Sequence, residues 1–217
     1  MHPRSRRTLL TQQRLHHALA DAGAIAQFYW LSESLETALA RQAEHPMVAR
    51  VRELDLEVTP GYASDLEQLY GPEWREKAAR ARTASTLAYQ ETLAAATPVE
   101  LVAAAFILYG ALVVGGGKQT QAKVRKVLPG CDHKLFDIAD DMKAARMAFK
   151  NKFTAIGKEF PEHADALEAL AARFMALNNG VVISISCVGG RVATGLGVAG
   201  AVAVAVGAAV WWSRCGR

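Results

Sequence analysis

The glycines of the most apolar stretch of the chain are the residues whose type and spacing best suggest chemistry. The stretch Leu101–Gly117, LVAAAFILYGALVVGGG, carries no charge, includes Gly110 and ends in three consecutive glycines. A glycine inside a helix costs about 1 kcal/mol relative to alanine, so these positions should have a packing or functional reason. A bent helix segment without side chains lets a large planar cofactor lie against its backbone. The alternative is that glycine only permits two helices to cross closely.

Most histidines and all cysteines give no obvious ligand cluster. Three histidines fall in turns or polar stretches, where we expect exposed side chains remote from any pocket: His45, His133 and His163. The three cysteines are Cys131, Cys187 and Cys215. They are too few and too dispersed for a disulfide framework or a thiolate metal site, which indicates a reducing compartment.

Length and charge exclude several classes of protein. A chain of 217 residues forms one or two domains and is too short for a large modular assembly. The formal net charge is +4, but the basic residues are scattered among acidic ones and form no Lys/Arg-rich cluster in the body. The sequence therefore does not indicate nucleic-acid binding.

The elements between the two ends are predicted to be helices, which makes the fold all-α. Apolar residues recur at helical spacing, as in Phe28, Leu31, Leu35 and Leu39, and no sustained alternation indicates a strand. Proline and glycine interrupt these patterns at intervals that predict about seven or eight helices in a single-domain bundle.

The longest apolar helix should begin at Thr97. A threonine N-cap, Pro98 in the first turn and Glu100 at the positive end of the helix dipole are typical of a helix start. Because Leu101–Gly117 is apolar on every face, we expect a buried central helix. The alternative is a second membrane span, which the terminal glycines would make short.

The C-terminal segment 188–217 is predicted to be a membrane anchor. The run Val192–Trp212 has no charge and no proline, is long enough to span a bilayer, and closes with two tryptophans typical of a membrane interface. We expect a tail-anchored transmembrane protein whose body faces the cytosol, at the endoplasmic reticulum or the outer mitochondrial membrane. A buried core helix is the alternative. Small residues at every fourth position from Ala193 to Ala209 suggest a homodimer through this helix.

The N-terminal segment 1–20 has several arginines and no acidic residue. It would wind into a basic amphipathic helix. Two interpretations stay open, a mitochondrial targeting segment and an exposed first helix, and we favour the second. Residues 21–187 would then form the helical domain.

Two sequence blocks carry a family resemblance. Asp65-Leu66 followed by Tyr70-Gly71-Pro72-Glu73-Trp74 is similar to the segment D-L-x-x-x-Y-G-P-x-W of the heme oxygenases. Pro98–Tyr109 is similar to that family's P-E-L-L-V-A-H-A-Y-T-R-Y, and Gly115-Gly116 matches the paired glycines of its motif G-D-x-S-G-G.

Later segments extend the resemblance in the same order. Phe149–Phe153 is similar to Y-R-S-R-M, and Met175–Asn178 is similar to F-L-L-N. The chain thus resembles the family over residues 28–180.

The resemblance implies a helical domain that holds heme between a proximal helix with a histidine and a kinked, glycine-rich distal helix. It also implies oxidative heme cleavage to biliverdin, iron and CO, with electrons from an NADPH- or ferredoxin-linked reductase. Arg146 and Lys150 would contact the heme propionates, although they could also be a solvated pair one turn apart. The positions implied to contact heme are Phe106, Ala111, Leu112, Gly115, Gly116, Arg146, Lys150 and Asn178.

The distal motif departs from the family at its polar positions. Ala111 replaces the first glycine, Leu112 the aspartate and Val114 the serine. The family's aspartate orders the water that delivers protons, and leucine has no hydrogen-bonding group. We expect a drier pocket, and the competing hypothesis is a catalytically inactive membrane-anchored protein that binds heme or serves in assembly.

The proximal ligand has two alternatives. An ungapped match back from Phe28 leaves the chain without the family's proximal histidine helix. If His17-Ala18-Leu19-Ala20-Asp21 instead corresponds to H-x-x-A-E, His17 is the axial ligand and the connection that follows is shortened.

Overall fold

The computed structural model describes the backbone of residues 3–114, 121–122, 124–126 and 129–189. Within these ranges, it describes side chains from residue 22 to residue 185. The predicted anchor run Val192–Trp212 lies outside the described residues, as do Gly115–Gly117.

The regular elements of the described residues are all helices, with no strand among them, so the all-α prediction is confirmed. Its α-helices are α1 (Pro3–Arg41), α2 (Pro46–Arg52), α3 (Thr59–Tyr70), α4 (Trp74–Arg80), α5 (Ala84–Ala95), α6 (Pro98–Val113), α7 (Met142–Glu159) and α8 (Ala164–Gly189). Residues 121–122 and 124–126 are also helical, and short 3-10 turns occupy Lys134–Phe136 and Pro161–His163.

Helix α6 is the centre of the bundle. The Thr97 side chain accepts from the Glu100 backbone N–H while the Glu100 carboxylate accepts from the Thr97 N–H, which closes a capping box at the predicted start. Every residue from Leu101 to Gly110 is buried, and α6 packs against α1, α2, α7 and α8. Contact with four helices favours a bundle core over a membrane span. The helix ends at Val113, short of the expected Gly117.

Helix α1 is a single uninterrupted helix of 39 residues. Its buried face includes Leu31, Leu35 and Leu39, as predicted, and packs against α3, α5 and α6, whereas Phe28 is half-buried. The N-terminal segment therefore continues directly into the first bundle helix, with no connection between the two.

Among the described residues, one helix meets the length and hydropathy of a membrane span, at Pro161–Ile185, with a mean hydropathy of 1.3. This segment largely coincides with α8, which packs on α1, α5 and α6. Only 22% of its most apolar window is buried, and length and hydropathy alone are weak evidence for a membrane span here.

Candidate functional site

The C-terminal end of α6 is where the buried helix reaches the surface. Ala111 and Val114 are exposed, three positions apart and therefore neighbours on one face of the helix, and Val114 is 40% exposed. Leu112 and Val113 point into the core. The end of α6 thus offers a small apolar surface to a ligand.

Helix α7, which packs against α6, carries two cationic side chains, and the first of them reaches this end of α6. The Arg146 guanidinium donates from Nε to the Val113 carbonyl at 2.9 Å, so it caps one of the free carbonyls at the end of α6. Lys150 is exposed one turn further along α7, and Met147, between them in sequence, is 54% exposed. Within the described residues neither cation pairs with a carboxylate, so both are available to an anionic ligand.

An aromatic cluster supports this end of the bundle from inside. Phe106 stacks on Phe149 with ring centroids 5.9 Å apart, and its edge-to-face contact with Phe153 has centroids 5.1 Å apart. A Cβ placed on Gly110 would lie 3.5 Å from the Phe149 Cζ, which is an ordinary contact. Close crossing of α6 and α7 therefore does not require glycine at position 110.

The predicted site residues are only partly brought together. Phe106 and Arg146 lie at the α6–α7 contact, Leu112 is buried on α6, and Ala111 and Lys150 are exposed on α6 and α7. Asn178 is buried on α8, which packs on α6. The backbone at position 17 belongs to α1, while the side chain of His17 and both Gly115 and Gly116 lie outside the described residues.

Leu112 is the residue that the resemblance aligns with the family's distal aspartate. It is only 8% exposed and has no hydrogen-bonding atom in its side chain, so this side chain can neither bind water nor pass a proton. Ile107 and Leu108, one turn earlier on α6, are also buried and supply no hydrogen-bonding group either.

A second cluster, not predicted from the sequence, is formed by Asp65, Cys131 and His133. All three side chains are buried, and their ligand atoms lie within 4.8 Å of one another. The prediction that His133 is exposed is wrong, because its side chain is 0% exposed. The signal in the sequence was the Cys-x-His spacing at 131–133.

Asp65 holds this segment against α3. Its carboxylate oxygens accept from the Lys134 N–H at 2.7 Å and the Leu135 N–H at 2.9 Å, which draws the chain onto α3. Burial raises the pKa of the Cys131 thiol to about 11, so without a metal this cysteine is protonated at neutral pH.

Comparison with known proteins assigns the fold and the family. A model of the heme oxygenase family matches residues 17–179, most of the chain. The chain belongs to the heme oxygenase family. The match begins at position 17, the position of the candidate proximal histidine.

Solved heme oxygenases have the same fold. Heme oxygenase-2 from Synechocystis sp. PCC 6803, in complex with heme and NO, has a TM-score of 0.69 at 21% identity, over 79% of this chain and 73% of that one. Heme oxygenase 2 from Chlamydomonas reinhardtii, without heme, has a TM-score of 0.68 at 23% identity, over 81% of this chain and 88% of that one. Heme oxygenase-1 from the same Synechocystis strain, with heme, has a TM-score of 0.55 at 19% identity, over 82% of this chain and 86% of that one. No curated protein sequence is significantly similar to this chain.

Proposed function

We propose that this heme oxygenase family member binds heme against the C-terminal end of α6. The observation that carries the proposal is the exposed apolar surface at Ala111 and Val114, beside Arg146, which reaches the Val113 carbonyl. Lys150 is exposed one turn along the same helix as Arg146, and neither cation has a carboxylate partner among the described residues. A flat apolar ring with anionic groups at one edge matches this arrangement in shape and charge. Gly115 and Gly116 would let backbone approach the ring, and Phe106 and Asn178 would support the helices behind it.

His17 is the proposed axial ligand. Two observations support it: the family match begins at this residue, and the N-terminal segment continues into α1, which packs against α6. A neutral imidazole nitrogen is the ligand that heme iron takes from a proximal helix.

The proposed reaction is oxidative cleavage of heme to biliverdin, iron and CO, with electrons from an NADPH- or ferredoxin-linked reductase. Bound heme would supply the iron at which O2 is activated. The protein would orient the ring through Arg146 and Lys150, and Leu112, which is next to Ala111 in sequence, would supply no polar group to this end of α6. Since Leu112 neither accepts nor donates a proton, proton delivery would depend on water that enters from outside α6, and turnover would be slow.

Titration of the full chain with hemin in mild detergent tests binding and ligation. We expect a Soret band that saturates at one equivalent, that His17→Ala abolishes or shifts, and that the matched variant His16→Ala leaves unchanged. The absence of hemin binding to folded wild-type protein would refute the proposal. A Soret band unaffected by His17→Ala would assign the axial bond to another residue.

Incubation of the hemin complex with reductase, NADPH and ferredoxin tests the reaction. Formation of biliverdin supports the enzyme. Stable hemin binding without biliverdin supports the second candidate function, an inactive heme-binding or assembly protein, which the leucine at the distal aspartate position favours.

We also propose that the chain has an N-terminal basic segment (1–20), a heme oxygenase-like domain (21–187) and a C-terminal membrane anchor (188–217) that leaves the domain in the cytosol. The apolar run of 192–212 supports the anchor. Extraction of cell membranes with alkaline carbonate tests it, because an anchored chain stays in the membrane pellet and a truncation at residue 187 is released. If the small residues of the anchor form a dimer interface, the protein should give detergent-resistant dimers that Ala201→Ile disrupts.

A further inference from the structure

We infer that Asp65, Cys131 and His133 form a zinc site that fixes the segment before α7 onto α3. The site is separate from the proposed heme site and does not depend on heme binding. Its three residues supply a carboxylate, a thiol and an imidazole, which are the ligand types that Zn²⁺ takes in proteins. The thiol excludes Mg²⁺ and Ca²⁺, which bind oxygen ligands.

The positions of the three side chains are fixed by the backbone around them. Asp65 lies on α3, and Cys131 and His133 follow the turn at Pro129-Gly130, where Gly130 adopts a positive φ of 110°. The Cys131 Sγ lies 3.9 Å from the Asp65 carbonyl oxygen. His133 is itself in the left-handed region, with a φ of 56°, a conformation that few non-glycine residues adopt. This conformation places the imidazole in the same buried space as the thiol.

The distances are close to those of a bound metal. The ligand atoms lie within 4.8 Å of one another. Around a tetrahedral Zn²⁺, with bonds of about 2.0–2.3 Å, ligand atoms are about 3.3–3.8 Å apart. A closing movement of about 1 Å, within the reach of small side-chain rotations, brings the three atoms to that separation.

The hydrogen bonds of Asp65 leave room for a metal. A carboxylate oxygen has two lone pairs, and the N–H groups of Lys134 and Leu135 use one on each oxygen. A second lone pair remains on each. The existing bonds would orient the carboxylate toward the ion, as outer hydrogen bonds do in metal sites.

The charges also favour a divalent cation. Asp65 is 0% exposed, and no lysine or arginine side chain pairs with it among the described residues. A buried carboxylate without a counter-ion is costly. Zn²⁺ with one carboxylate, one thiolate and a neutral imidazole has no net charge, so it removes this cost. The fourth position of the tetrahedron would be taken by water.

The site would have a structural role. It would join the start of the 3-10 turn Lys134–Phe136 to the middle of α3, and this turn leads into α7, which carries Arg146 and Lys150. A single thiolate with an imidazole and a carboxylate differs from the thiolate-rich sites that the scattered cysteines exclude.

The test uses the full chain in mild detergent, without heme and with reduced thiols. Zn²⁺ alone is titrated in competition with a chromophoric chelator, and Co²⁺ is added separately to record the thiolate-to-cobalt charge-transfer band. We expect one equivalent of Zn²⁺ to bind, the cobalt band to appear, and Mg²⁺ to have no effect. Folded wild-type protein that binds no Zn²⁺, or Co²⁺ without the charge-transfer band, would overturn the inference.

Variants locate the site. Cys131→Ser and His133→Asn should each weaken Zn²⁺ binding by about 100-fold or more, since loss of a ligand exceeds the effect of losing a supporting hydrogen bond. Asparagine is chosen because it tolerates the left-handed conformation of position 133. The matched variants Cys187→Ser and His163→Gln should bind as wild type does. Equal Zn²⁺ affinity in wild type and in folded Cys131→Ser and His133→Asn would place the metal elsewhere and refute the assignment.

Discussion

Replacing Gly61 by alanine tests how tightly the 134–135 backbone is held against α3. An added Cβ would lie 2.9 Å from the Lys134 carbonyl oxygen and 3.0 Å from the Leu135 Cα. Both contacts are with backbone, and the Asp65 carboxylate holds that backbone through two N–H groups. The neighbouring chain therefore cannot move aside without weakening those bonds.

The size of the effect follows from three contributions, two losses and one gain. Overpacking of this kind costs about 1–3 kcal/mol. Alanine gains about 0.5–1 kcal/mol over glycine within a helix. Weakening a hydrogen bond to the charged Asp65 adds a further loss, which is about 1.5–3 kcal/mol for a complete break. We expect Gly61→Ala to lower the free energy of unfolding by about 1–3 kcal/mol, or the melting temperature by about 2–12 °C.

Gly157→Ala is the matched control because it lies inside α7 with nothing within 4 Å of the added Cβ. This variant should gain about 0.5–1 kcal/mol from helix propensity alone. Urea unfolding followed by circular dichroism measures both variants against wild type. If Gly61→Ala matches or exceeds the stability of wild type, the packing of residues 134–135 on α3 is looser than described.

Three further perturbations test the site and its supports. The pKa of Glu100 is lowered below its usual 4.5, chiefly by the hydrogen bond from the Thr97 backbone, so its stabilisation is present above pH 4.5 and lost as pH falls through the lowered pKa. Glu100→Gln should therefore lower the free energy of unfolding in urea at pH 7 and lower it less at pH 3. An equal loss of stability at the two pH values would contradict this assignment. Arg146→Gln should weaken hemin binding about tenfold or more, with Lys143→Gln as the control on the same helix, and equal affinities would exclude a propionate contact. Leu112→Asp should raise the rate of biliverdin formation while lowering the melting temperature, because it places a proton-carrying group at a buried site; an unchanged rate in folded protein would show that this position does not limit proton delivery.

Local sequence signals were sufficient for the helices that bury one continuous apolar face. The threonine, proline and glutamate at 97, 98 and 100 form the predicted cap, and the apolar run behind them is the buried α6. The buried face of α1 likewise follows the spacing of its leucines. In both cases the information lies within one or two turns of chain, which periodicity detects.

The burial of His133 could not be predicted in this way. It depends on the Asp65 carboxylate, some seventy residues earlier, accepting from backbone N–H groups at 134 and 135. Backbone donors carry no residue type, so the sequence does not mark this contact. A polar segment with proline, glycine and charged residues resembles an exposed turn until its distant acceptor is known.

The hydrogen bond from Arg146 to the Val113 carbonyl couples the stability of the last turn of α6 to the binding of any anion that Arg146 holds. The Nε group secures the end of the helix, which leaves the two terminal nitrogens of the same guanidinium for an anion. Fraying of that turn and release of the anion would then share one side chain, and their free energies are coupled. A substitution that loosens the end of α6 without touching the ligand should weaken binding, and by reciprocity an occupied site should slow amide hydrogen exchange at the end of α6.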